Sequence, residues 1–148
     1  MASGGFSRGD VLLLVAVLAA FGVADSAYLT WQWYDQATRS WCDVDPFWNC
    51  TKVRESPFAA VAGIPTSTIG AVGFSVLLVL AALGLRGVER VGPWALGRWV
   101  LSLAVAGAFI GAGLTLVEVF VINAVCLLCA LGFGIDLGIL AAVVLWLE

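Results

Sequence analysis

Residues 124–147, AVCLLCALGFGIDLGILAAVVLWL, decide the fold. Asp136 is the one charge in this run. About 20 apolar residues in helical form cross the hydrocarbon of a bilayer, so this stretch reads as a spanning helix. Its first turn carries Cys126 and Cys129, three residues apart and on roughly one face.

Three more runs of the same kind lie upstream, at residues 11–33, 66–85 and 99–122, and the only charges inside the four are Asp25, Glu118 and Asp136. The chain of 148 residues is 62% hydrophobic, with seven basic and ten acidic side chains, and its mean hydropathy is +1.05. That composition predicts an all-α integral membrane protein. The later connections are short, so neighbouring spans run antiparallel in a four-helix bundle. Glycines at 70, 73, 107, 111, 134 and 138 let helices approach closely in lipid. Residues 1–148 are expected to form a single membrane domain. The apolar run from Val11 is too long for a signal-peptide core and has no evident cleavage site, so the first span is expected to remain.

Residues 34–65 differ. Here Asp35, Arg39, Asp43, Asp45, Lys52, Arg54 and Glu55 alternate with Trp41, Phe47 and Trp48, which suit a headgroup interface. Within this loop, residues 56–63 predict a short interfacial helix, with Ser56 as N-cap, Pro57 in the first turn and Gly63 at the end. The loop would then fold over one end of the bundle.

Four spans place both termini on one face. The long loop and the short 121–125 connection share the other face, so Cys42 and Cys50 are expected on the same membrane face as Cys126 and Cys129 despite their separation in sequence. Arg8, Arg86, Arg90 and Arg98 on the termini side outnumber Arg39, Lys52 and Arg54 on the loop side. The positive-inside rule therefore favours cytoplasmic termini and extracytoplasmic cysteines in a multi-pass protein of the cell membrane.

The chain contains no histidine. This removes His-ligated haem, Cys/His zinc sites and histidine acid–base chemistry, and leaves cysteine as the strong nucleophile. The small net charge and scattered basic residues give no footprint for nucleic acid. Thiolate is the attacking species in thiol–disulfide exchange, and the unpaired N–H groups of a helix N-terminus favour negative charge. A Cys-x2-Cys pair there, with a second pair (Cys42 and Cys50) on a loop of the same face, forms a switchable relay. Three other readings stand beside it. Two structural disulfides are one, although a bridge between residues three apart constrains little. A four-cysteine zinc site is another, with Cys-x7-Cys looser than the usual knuckle. Buried inert thiols are the third, at odds with two cysteines in a polar loop.

The pattern resembles the vitamin K epoxide reductase family over nearly the whole chain. The matching residues are Cys42-Asp43-Val44 and Cys50, Ser56 six positions later, Thr66-Ser67-Thr68-Ile69-Gly70 at the start of the second span, and Cys126-Leu127-Leu128-Cys129. The resemblance implies a quinone-dependent thiol–disulfide oxidoreductase that supports disulfide formation. Electrons would pass from a thioredoxin-like partner to Cys42, from Cys50 to Cys126, and from Cys129 to ubiquinone, menaquinone or a vitamin K-like quinone. Cys129, Ser56, Phe58, Thr66 and Phe133 would face the quinone. Phe133 stands where vertebrate members have tyrosine, which argues against recognition of the vertebrate type. A fused thioredoxin domain after Glu148 is not expected, and the partner is expected to be a separate protein. Alternatives are a quinone or quinone-epoxide reductase, and a scaffold with structural or zinc-binding cysteines.

Among other residues, Asp136 lies two turns after Cys129 on the same helix face, and Glu118 lies close enough to the cysteine face to influence it. A carboxyl at such depth is a functional candidate, although packing or an inward hydrogen bond also accounts for it. Asp25 falls in the same category.

Overall fold

The computed structural model describes residues 7–35, 43, 45–57, 60–61 and 63–147. Helix α1 is Arg8–Tyr34, α3 is Thr66–Leu85, α4 is Leu96–Val117 and α5 is Leu127–Leu147. A π-helical turn, Glu118–Ile122, extends α4. Four helices, the third counted with that turn, are long and apolar enough to cross a membrane. Their outward faces carry Phe21, Phe109, Phe120 and Leu145, all exposed. In water such a surface would be a liability, whereas in lipid it needs no partner. The chain is an all-α membrane bundle.

Local chemistry sets the ends. Ser7 Oγ accepts the Asp10 N–H and Asp10 Oδ2 accepts the Ser7 N–H, a capping box that starts α1 before its apolar run. The Arg8 guanidinium donates to the carbonyls of Gly84 and Val88 at 3.1 and 2.8 Å, tying the start of α1 to the end of α3. Strands β3 (Arg90–Val91) and β4 (Trp94–Ala95) form a small antiparallel hairpin. Gly92 supplies the positive φ of its turn, and α4 starts directly after it.

The main core lies toward the termini. Leu12, Val15, Leu96, Val100, Ile139 and Val143 are almost wholly buried there. Leu12 and Leu96 close over Gly84, where an added Cβ would lie 2.8 and 2.5 Å from their methyl groups. A smaller core, Cys50, Val53, Ala124, Cys126 and Leu128, sits at the loop end. The cysteines are thus part of the packing there.

The short helix between the first two spans is not at residues 56–63. It is α2, Cys50–Arg54, with Asn49 as N-cap accepting the Lys52 N–H at 2.8 Å. Ser56 closes this helix instead of opening another: both its N–H and its Oγ donate to the Val53 carbonyl. Downstream, β1 (Ala60–Val61) and β2 (Ile64–Pro65) pair as a hairpin, with Gly63 at φ +83° in its turn. The chain therefore reverses at Gly63 and enters α3 through Pro65, so the second half of the expected segment is strand and turn, while residues 58, 59 and 62 lie outside the described residues.

Candidate active site

The loop reaches the far end of the chain through backbone bonds. Trp48 and Val125 form an isolated parallel bridge. The Val125 N–H donates to the Phe47 carbonyl at 2.7 Å, and the Asn49 N–H donates to the Val125 carbonyl at 3.1 Å. Asp45 Oδ1 accepts the N–H groups of Phe47 and Trp48, each at 2.8 Å, shaping the turn that presents this edge. The Asp43 carboxylate accepts the N–H and Oγ of Thr51 at 2.9 and 2.6 Å and holds the first turn of α2.

Cys50 opens α2 immediately after that bridge, and Cys126 follows Val125. Their sulfurs are 2.8 Å apart, and both residues are buried. Cys50 is disulfide-bonded, whereas Cys126 and Cys129 are free thiols. Cys126 is the residue before α5 and not part of its first turn. Its carbonyl accepts the Ala130 N–H, and its Sγ accepts the Cys129 N–H at 3.4 Å. The sulfur occupies the place of an N-cap oxygen.

The approach to Cys126 depends on Glu118. In the π-helical turn, Asn123 adopts a left-handed conformation, φ 60° and ψ 34°, with its N–H returning to the Glu118 carbonyl. Asn tolerates that region better than most residues. The turn sends the chain inward to Cys126, whose N–H donates to Glu118 Oε2 at 3.2 Å. Sequence reasoning placed Glu118 near the cysteines but did not foresee this bond. Single-turn π segments occur often at functional sites, and nothing in the residue pattern announces one here.

Below the cysteines lies a cavity of about 540 Å³, walled mostly by apolar side chains. Cys129, Ser56, Thr66 and Phe133, all expected at the cofactor site, line it. Glu118, Asp25 and Asp136 line it too. Phe133 packs against Gly111 of α4, where a Cβ would come within 2.3 Å of its ring. Cys42 and Phe58, the remaining expected site residues, lie outside the described residues.

Cavities of 300–1,000 Å³ with apolar walls and a few convergent polar groups suit small organic ligands. Residues 13–145 match the family model of the Vitamin K epoxide reductase family. The chain belongs to that family. Membership makes it a multi-pass membrane oxidoreductase of the quinone-linked thiol oxidoreductase or epoxide reductase kind.

A quinone fits the residues present. The space is large enough for a ring, its walls are mostly apolar, and its lining includes the Cys129 thiol and two carboxyls, Asp25 and Asp136, each with one oxygen that has no partner among the described residues.

Proposed function

We propose that the chain is a quinone-dependent thiol–disulfide oxidoreductase. It draws electrons from a separate thioredoxin-fold protein through Cys42 and Cys50, passes them to Cys126 and Cys129, and delivers them to a membrane quinone. The result is disulfide formation in proteins outside the cytoplasm, with cytoplasmic termini and the cysteines on the opposite face of the cell membrane.

One observation carries this reading: the 2.8 Å between the sulfurs of Cys50 and Cys126, with Cys129 on the cavity wall. A partner dithiol reduces a Cys42–Cys50 disulfide. The Cys50 thiolate attacks Sγ of Cys126 in an oxidised Cys126–Cys129 pair, forming a Cys50–Cys126 bond and releasing Cys129. Cys42 then attacks Cys50, and Cys126 leaves as a thiol. Electrons and protons balance, because one disulfide and one dithiol exchange states. Direction follows reduction potentials, with 30 mV equivalent to about 1.4 kcal/mol.

The quinone supplies the terminal acceptor for two electrons and two protons. Cys129, Ser56 and Thr66 line the mostly apolar cavity that would hold it. The Cys129 N–H held on Cys126 Sγ steadies charge on the sulfur that exchanges with the loop.

The test is anaerobic mixing of oxidised protein with a reduced thioredoxin-fold donor and ubiquinone or menaquinone. Quinone reduction is expected, and is expected to vanish in Cys126→Ala and Cys129→Ala. Turnover that survives either substitution sinks the relay. Zinc retained through purification in stoichiometric amount would replace it with a structural role.

A further inference from the structure

We propose that Asp25 forms the inner subsite of this cavity, taking the quinone oxygen remote from Cys129 and supplying it with a proton. The inference rests on the quinone reading of the preceding section and adds a residue to it. Asp25 on α1 and Asp136 on α5 are 9% and 6% exposed, and both line the cavity. Asp25 Oδ1 and Asp136 Oδ2 are shielded from solvent and have no hydrogen-bond partner among the described residues. Buried polar atoms are nearly always satisfied, and carboxyls at membrane depth rarely persist without a role. The missing partner belongs to a ligand.

Spacing identifies the part of the ligand. Asp25 Oδ2 approaches Gly132 so closely that a Cβ there would lie 3.0 Å away. Gly132 follows Cys129 by three residues on the same face of α5, a rise of about 4.5 Å. A six-membered ring laid along that face with one carbonyl oxygen at Cys129 brings the opposite oxygen beside Asp25. Asp136, one turn further in, meets Gly107 of α4, where a Cβ would sit 2.7 Å from its Oδ1. It forms the floor of the same subsite. Beyond this floor Val15, Ala19, Val100, Ala104, Ile139 and Val143 are packed with essentially no exposure. Protons therefore reach Asp25 from the cavity side.

The balance closes without another reactant. Closing the Cys126–Cys129 dithiol to a disulfide releases two electrons and two protons, and the quinone takes up both pairs. Asp25 gives its proton to the remote oxygen and is restored by one of the two released at the sulfurs.

The test uses the full chain in detergent with a short-chain ubiquinone. In a Cys129→Ala background, which does not turn over, adding the quinone should shift a carboxyl C=O band in the infrared difference spectrum. Adding Asp25→Asn should remove that shift while quinone binding, followed by tryptophan fluorescence, persists. In the active background Asp25→Asn should lower kcat for quinone reduction about 100-fold. KM should stay within about threefold, because an amide still donates a hydrogen bond. Thiol exchange with the donor protein in the absence of quinone should be unchanged. Wild-type kcat in Asp25→Asn, an unmoved carboxyl band in protein that binds the quinone, or joint loss of thiol exchange would each overturn the assignment. A wild-type protein that neither binds nor reduces quinone would instead remove the function reading, and this inference with it.

Discussion

Trp48 and Val125 lie side by side as a parallel β-bridge, and this pairing is what brings Cys50 to Cys126. Cys50 follows Trp48 by two residues, and Cys126 directly follows Val125. Backbone bonds on both sides of Val125 make this pairing, so it is best broken through the backbone. Val125→Pro deletes the N–H that donates to Phe47. We expect thiol exchange between the loop and the α5 dithiol to slow at least tenfold, measured by rapid-quench alkylation. Quinone binding, which draws on residues below, should change little. Equal rates in the variant would mean that the bridge does not set the sulfur approach.

Glu118 satisfies the Cys126 N–H, which would otherwise be an orphan donor at the head of α5. Glu118→Ala leaves that buried group without an acceptor, a loss of about 1–3 kcal/mol. Glu118→Gln keeps an acceptor oxygen and should recover most of it. Thermal unfolding in detergent at one fixed pH ranks the two, with Ala well below Gln. Identical melting of both variants would show that the bond contributes nothing to stability.

Phe133 packs on Gly111, where a Cβ would fall 2.3 Å from the ring. Gly111→Ala must therefore displace Phe133, and the open side is the cavity that both residues line. We expect KM for quinone to rise severalfold with thiol exchange intact. Gly113→Ala is the control on the same helix, since an added Cβ there meets nothing within 4 Å. If the two behave alike, Phe133 does not shape the site.

The four spans were legible because lipid demands long, nearly charge-free helices, a signal that survives without any tertiary information. The meeting of Cys50 with Cys126 at one end of the bundle followed from counting crossings. The loop was less legible. Ser56 before Pro57 looks like an N-cap, yet its hydroxyl turns back to Val53 and ends the preceding helix. A short hydroxyl can serve either end, and only the chain reversal at Gly63 decides which. The Trp48–Val125 bridge was invisible because it is made by backbone atoms that every residue possesses. Glu118 stood out as a charge in an apolar run, but its bond to Cys126 depends on the π-helical turn and on Asn123, which propensities do not locate. The carboxyls of Asp25 and Asp136 were conspicuous for the same reason, although their admission to the cavity rests on Gly132 and Gly107 across helix interfaces.

The sulfur approach makes a covalent prediction that needs neither quinone nor partner. In a Cys42→Ala, Cys129→Ala double variant, Cys50 and Cys126 are the only cysteines left. With their sulfurs 2.8 Å apart in a buried cluster, little rearrangement separates the thiols from a bond of about 2.05 Å. Mild oxidation should close a Cys50–Cys126 disulfide within one chain, tying the loop to the start of α5. Proteolysis in the loop followed by non-reducing electrophoresis reads this directly, because the fragments stay joined until reductant is added. The same treatment of Cys42→Ala, Cys126→Ala pairs Cys50 with Cys129, which lies deeper along α5, and should give much slower closure. Comparable rates in the two proteins would mean that Cys126 holds no special place as the receiving sulfur, and the order of transfer would have to be redrawn.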